Sequence, residues 1–149
     1  MKYANSSSLF QQEMEEKLFS RITKELGIDL LSNPSVSINT NSAIKIQPDF
    51  YSKEHQVIGE IHTHAGKLKG SQPDKIAADI LKMLLHDKAK DCKFTKYIVV
   101  CSQEEHDQLT GNSALAEAIR QFDIHVMLIP LEDNDQAELQ NVMKKQSFL

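Results

Sequence analysis

Gln47-Pro-Asp-Phe-Tyr51, a polar break from Ser52 to Gln56, Val57-Ile-Gly-Glu-Ile-His-Thr-His64 and Ala65-Gly-Lys-Leu-Lys-Gly-Ser-Gln-Pro-Asp-Lys75 form one continuous stretch. It sets the acids Asp49 and Glu60, the histidines His62 and His64 and the lysines Lys67, Lys69 and Lys75 around two strand-like apolar runs and the start of a helix. No other part of the chain is so rich in groups that bind metal or move protons. Alternation along 57–62 puts Ile58, Glu60 and His62 on one face of a strand, with Val57, Gly59 and Ile61 on the other. A carboxylate inside an otherwise apolar strand is costly unless it is paired, hydrogen-bonded or bound to metal. Asp49 closes the preceding extended run, so antiparallel pairing would bring it beside Glu60. Two carboxylates and a backbone carbonyl make a hard, oxygen-rich site suited to Mg²⁺ or Mn²⁺. Such an ion activates water and screens phosphate charge, the apparatus of phosphodiester hydrolysis.

Upstream, Phe10, Met14, Leu18, Ile22 and Leu26 recur at helical spacing, with Ser8 as the expected cap and Gly27 as the stop. Asn33-Pro34-Ser35 signals a turn. Val36–Thr40 and Ala43–Gln47 alternate like strands joined by Asn41-Ser42. With Val57–His62 they read as a three-stranded antiparallel meander. Downstream, Ser71-Gln-Pro-Asp74 opens a helix whose apolar stripe (Ile76, Ile80, Leu84 and neighbours) lasts to about His86. A polar segment, 87–96, is expected to be a loop. Tyr97–Cys101 and His125–Ile129 are buried strands, separated by a helix over Ala114–Phe122, and Gln136–Gln146 forms a terminal helix.

The order α-β-β-β-α-β-α-β-α predicts an α/β fold with a mixed central sheet and helices on both faces. A length of 149 residues suits a single domain, 1–149, in which the polar residues 1–8 are expected to be disordered. With 40% hydrophobic and 26% charged residues the composition is that of a soluble globular protein. No apolar run approaches the roughly 18–20 residues of a membrane helix, and the N-terminus lacks a signal-peptide core. A cytoplasmic protein without membrane contact is therefore expected. Cys92 and Cys101 lack metal-ligand spacing and read as buried, reduced thiols. The net charge of −4 argues against a protein that coats nucleic acid, which would be basic.

The order α-β-β-β-α-β, with Pro48-Asp49 ahead of Glu60-Ile61-His62, resembles the PD-(D/E)xK restriction-endonuclease-like superfamily over roughly residues 9–131. The resemblance implies a restriction-endonuclease-like fold, hydrolysis of DNA, and Asp49 and Glu60 as ligands of Mg²⁺ or Mn²⁺. The family's lysine, two residues after the second acid, falls on His62, which can orient or deprotonate water but is no permanent cation. The missing charge would come from Lys67, Lys69 or Lys75. Gln72 and Lys75 match a Gln-x-x-Lys feature of the family, and Glu16 falls where members direct a helix acid at the site. With no separate sequence-reading domain, a homodimer or a partner protein would supply specificity for DNA. The departure at His62 also admits a catalytically inactive binding or structural subunit.

His62-Thr63-His64 followed by Ser71-Gln-Pro-Asp74 is similar to a second signature, that of JAMM/MPN metalloproteases. This resemblance implies a zinc isopeptidase with Zn²⁺ on His62, His64 and Asp74. Ala65 stands where a proline is usual, the gap to Ser71 is one residue short, and the two strands before Asp49 contain no glutamate base. His55, His86, His106 and His125 share no spacing. Lys88, Lys90, Lys93 and Lys96 alternate with Asp87 and Asp91 and read as a solvated loop.

Overall fold

A computed structural model describes residues 6–39, 43–64 and 66–135, with 137, 138, 141 and 144 beyond them. The apolar repeat of the first segment forms α1 (Ser6–Leu26), which ends at Gly27, left-handed at φ 67°. Short strands β1 (Leu31–Ser32), β2 (Val36–Ser37), β3 (Lys45–Ile46) and β4 (Phe50–Ser52) follow, and then the longer β5 (Val57–His62). The second half contains α2 (Gln72–Lys90), β6 (Thr95–Val100), α3 (Gln103–Leu109), α4 (Ala114–Gln121) and β7 (Ile124–Leu128). No helix among the described residues is long and apolar enough to cross a membrane.

The central sheet runs β1-β4-β5-β6-β7. β1–β4 and β4–β5 pair antiparallel, whereas β5–β6 and β6–β7 pair parallel, so the sheet is mixed as expected. On one face α1 lays Met14, Leu18 and Ile22 against Phe50, Val57 and Val99. On the other face Ile76, Ile80 and Met83 of α2, with Leu109 and Ile119, cover Tyr51, Ile58, Ile98 and Ile124. The two parallel crossovers step the same way across the sheet, and right-handed connections then put their helices on one face. Gly59 is required by the sheet itself: a Cβ there would lie 2.0 Å from the Phe50 ring, its cross-strand partner.

The three-stranded meander is corrected. β2 and β3 pair with each other as a separate ribbon, Val36 opposite Ile46, and the antiparallel pairs of the sheet are β1–β4 and β4–β5. Pro48 offers no ladder N–H, so the extended chain stops at Ile46 and resumes at Phe50. The expected connection Asn41-Ser42 lies outside the described residues, as does most of the expected terminal helix 136–146. The end of α2 is also corrected, because the helix continues to Lys90. Lys88 and Lys90 suit its negative end, and Asp91 stops it in a left-handed conformation at φ 49°.

The short α3 was not expected at all. Ser102 accepts from the Glu105 backbone N–H at 3.2 Å and donates its hydroxyl to the Glu105 carboxylate at 3.0 Å. That Ser-x-x-Glu arrangement is a helix-starting signature present in the sequence. Ser113 caps α4, accepting from Ala116 N–H at 3.1 Å. Cys92 and Cys101 are free thiols, the first half-buried and the second buried.

Candidate functional site

The register of β4 on β5 sets Phe50 opposite Gly59, which brings Asp49 level with Glu60. Asp49 joins three strands. Its carbonyl accepts from Asn33 N–H at 3.1 Å, and its Oδ2 accepts from Ile61 N–H at 2.7 Å. The carboxyl groups of Asp49 and Glu60 are hydrogen-bonded to each other. Burial, followed by the charges of Asp49 and Asp79, pushes the Glu60 carboxyl up to about 10, while Lys82 pulls the other way. Asp49 is raised as well, chiefly by burial, although the Ile61 N–H bond opposes the shift. In this arrangement Glu60 carries the proton and Asp49 accepts it. Like charges this close cannot both ionise without a counter-charge.

A third carboxylate closes the group. Asp79 extends from α2 and sets its Oδ2 3.2 Å from Nε2 of His62. Glu15 of α1 is half-buried and raised by burial and by the charge of Asp49. Together with Glu16, Gln12, Gln47 and Asp49 it lines a cleft of about 420 Å³ beside the acid pair. Glu16, the helix acid expected at the site, stands exposed at this cleft, and its neighbour Glu15 is the one whose carboxyl feels Asp49.

Asp49, Glu60 and His62 are thus brought together, but the expected basic residues are arranged differently. Lys67 and Lys69 lie exposed on the loop after β5, either side of the buried Leu68. The loop is tied down from both sides. Leu68 N–H donates to Gln108 Oε1 at 2.6 Å, and Ser102 Oγ, 3.2 Å from Gly66 O, shares its one hydroxyl proton between that carbonyl and the Glu105 carboxylate. Gln72 donates to His64 Nδ1 at 2.7 Å and accepts from Lys69 N–H at 3.3 Å. Lys75 is exposed in the first part of α2. The cation felt by Glu60 is Lys82. Gln72, Lys75, Asp79 and Lys82 follow one another at three- and four-residue intervals, one face of a helix. That spacing is the signal by which Asp79 and Lys82 were detectable in the sequence.

His64 uses both ring nitrogens, receiving Gln72 at Nδ1 and donating Nε2–H to Lys67 O at 3.0 Å. Asp74 stands exposed at the start of α2. Among the described residues no three His, Cys, Asp or Glu side chains are gathered so as to hold a metal ion. Neither His62, His64 and Asp74 nor the acids thus form a ready cage of three ligands. Asp49 and Glu60 do fit the donor set of Mg²⁺ or Mn²⁺. Such ions take one or two carboxylates, and complete their shell with water and phosphate oxygen. A divalent cation would replace the proton that Glu60 otherwise keeps.

No family model, no curated protein and no solved structure matches this chain.

Proposed function

We propose that the chain has a restriction-endonuclease-like fold and is a metal-dependent phosphodiesterase acting on DNA, with Asp49 and Glu60 as ligands of Mg²⁺ or Mn²⁺. The observation that carries this reading is the hydrogen-bonded pair Asp49–Glu60, crowded by Asp79 and held on adjacent strands. The bound ion would supply an activated water and charge screening at the phosphate. Asp49 is fixed by the Ile61 N–H, so its carboxylate is aimed before any ligand arrives. His62, steadied by Asp79, stands two residues past Glu60 on the same strand face and orients or takes a proton from the attacking water. Lys82 supplies positive charge near Glu60, and Lys67 and Lys69 present two ammonium groups from a clamped loop for the phosphate backbone.

Supercoiled plasmid incubated with Mg²⁺ or Mn²⁺ tests the reading. Wild type is expected to nick it, and Asp49→Ala to be slower by on the order of 100-fold or more. Mn²⁺ should also raise the melting temperature of wild type and leave Asp49→Ala unmoved. Equal nicking rates in the two proteins would sink the assignment.

One observation favours a second reading, that of a non-catalytic binding or structural subunit. His62 occupies the place of the strand lysine and is engaged by Asp79. Under that reading Mn²⁺ leaves the melting temperature unchanged and no nicking occurs.

A further inference from the structure

The outer face of α2 carries Asp74, Ala78, Leu81, Leu85 and Lys88, all exposed. They recur at alternating steps of four and three residues, the seam spacing by which one helix packs along another. Leu81 is 68% exposed and Leu85 46%, on a helix whose opposite face buries Ile76, Ile80 and Met83. Beside the C-terminal half of α2, an open groove sets Leu84 and Phe122 among charged residues of both signs, Lys88, Lys93, Asp91 and Asp123 among them, and Phe122 is itself 51% exposed.

The two ends of this face differ in both size and charge. Along the seam the N-terminal half offers Asp74, Ala77 and Ala78, small and with one acid, while the exposed Lys75 and Lys82 flank it. The C-terminal half offers Leu85, Lys88 and Phe122, bulky and basic. Asp74 lies seven residues before Leu81 and Lys88 seven residues after it. An antiparallel copy related by a two-fold axis at Leu81 would set Leu81 on its own counterpart, and the alanines against the partner's Leu85 and Phe122. Asp74 would meet the partner's Lys88. A parallel copy would oppose acid to acid and lysine to lysine.

We infer that the outer face of α2 is a homodimer interface, formed by antiparallel pairing of two α2 helices about Leu81. The surface is self-complementary, as a two-fold contact demands, because each end supplies what the other lacks. Its length is modest, at the low end of stable interfaces, so the dissociation constant is expected to be roughly micromolar.

Sedimentation equilibrium of the full chain reads the outcome as mass, independently of any nuclease activity. Wild type should pass from monomer to dimer across about 1–300 µM. Leu81→Glu should remain monomeric with an unchanged melting temperature, since the residue is exposed. Asp74→Lys and Lys88→Asp should each weaken association by about tenfold, and the double exchange should restore it. A wild type that stays monomeric at 300 µM overturns the proposal. So does a dimer indifferent to Leu81→Glu, and so does a double exchange no tighter than the single variants.

Discussion

Helix α2 covers two polar clusters, one near each of its ends, and they are solved in opposite ways. Near its C-terminus the Tyr51 hydroxyl donates to His86 Nε2 at 2.8 Å, and His86 Nδ1–H donates to Asp87 at 3.0 Å. The other Asp87 oxygen accepts from Phe94 N–H at 3.0 Å and from the buried Lys96 ammonium, which also donates to Phe94 O. Both His86 ring nitrogens have partners, and the buried Lys96 cation meets one carboxylate. Tyr51, His86 and Phe94 further pack ring on ring, with centroids 4.6–5.4 Å apart. Toward the other end, Asp49, Glu60 and Asp79 crowd together, and Glu60 stays neutral only by keeping a proton well above its ordinary range. The first cluster is complete without any ligand. The second sets three carboxyl groups close together, and Glu60 keeps its proton because it is buried and its neighbours are acids.

Breaking the complete cluster should have the largest effect. Asp87→Asn leaves the Lys96 ammonium buried without a counter-charge, at a cost of about 3–5 kcal/mol. Urea unfolding at pH 7 measures it, and a loss under about 1 kcal/mol would erase the distinction between the two ends. Glu60→Gln should act in the opposite sense, raising stability by roughly 1–2 kcal/mol at pH 8 in the absence of metal. Because the folded state holds the Glu60 proton more tightly, the stability linked to Glu60 is full below about 4.5 and falls as pH climbs toward about 10. His86 has the reverse sign. Burial lowers its imidazole below the ordinary 6.5, so the stability linked to it is present above that value and is lost as pH falls below it. Unfolding curves from pH 5 to 9 should therefore show the Glu60→Gln advantage growing with pH, and a flat difference would refute the shared proton. Tyr51→Phe should cost about 1 kcal/mol, since it leaves His86 Nε2 without its donor. The same unfolding measurement reads it.

The difference between the two clusters also explains how much of each was legible in the residues. Asp49 and Glu60 stand out because they interrupt apolar strands, and the period-2 pattern alone places Glu60 and His62 on one face. Asp79 and Lys82 were missed although they continue the helical interval from Gln72 and Lys75. A charged residue on a helix is ordinary until a strand acid is known to lie beneath it. Asp87 and Lys96 looked like members of a polar loop, and His86 like a helix end, since nothing in a single sequence distinguishes a solvated lysine from one buried against Asp87. The Ser102–Glu105 helix start was readable and was obscured by the acidic run around it.

The sequence by itself determined the α/β class, the two-faced strand β5 and the pair of acids, because these follow from local periodicity and from the cost of a carboxylate among apolar neighbours. Only the tertiary structure decided which strands join the sheet, which helix acid approaches Asp49, and which lysine answers Glu60. Those depend on register and on the placement of α1 and α2 over opposite faces of the sheet. Such contacts are set by packing between segments far apart in the chain, and no local pattern encodes them.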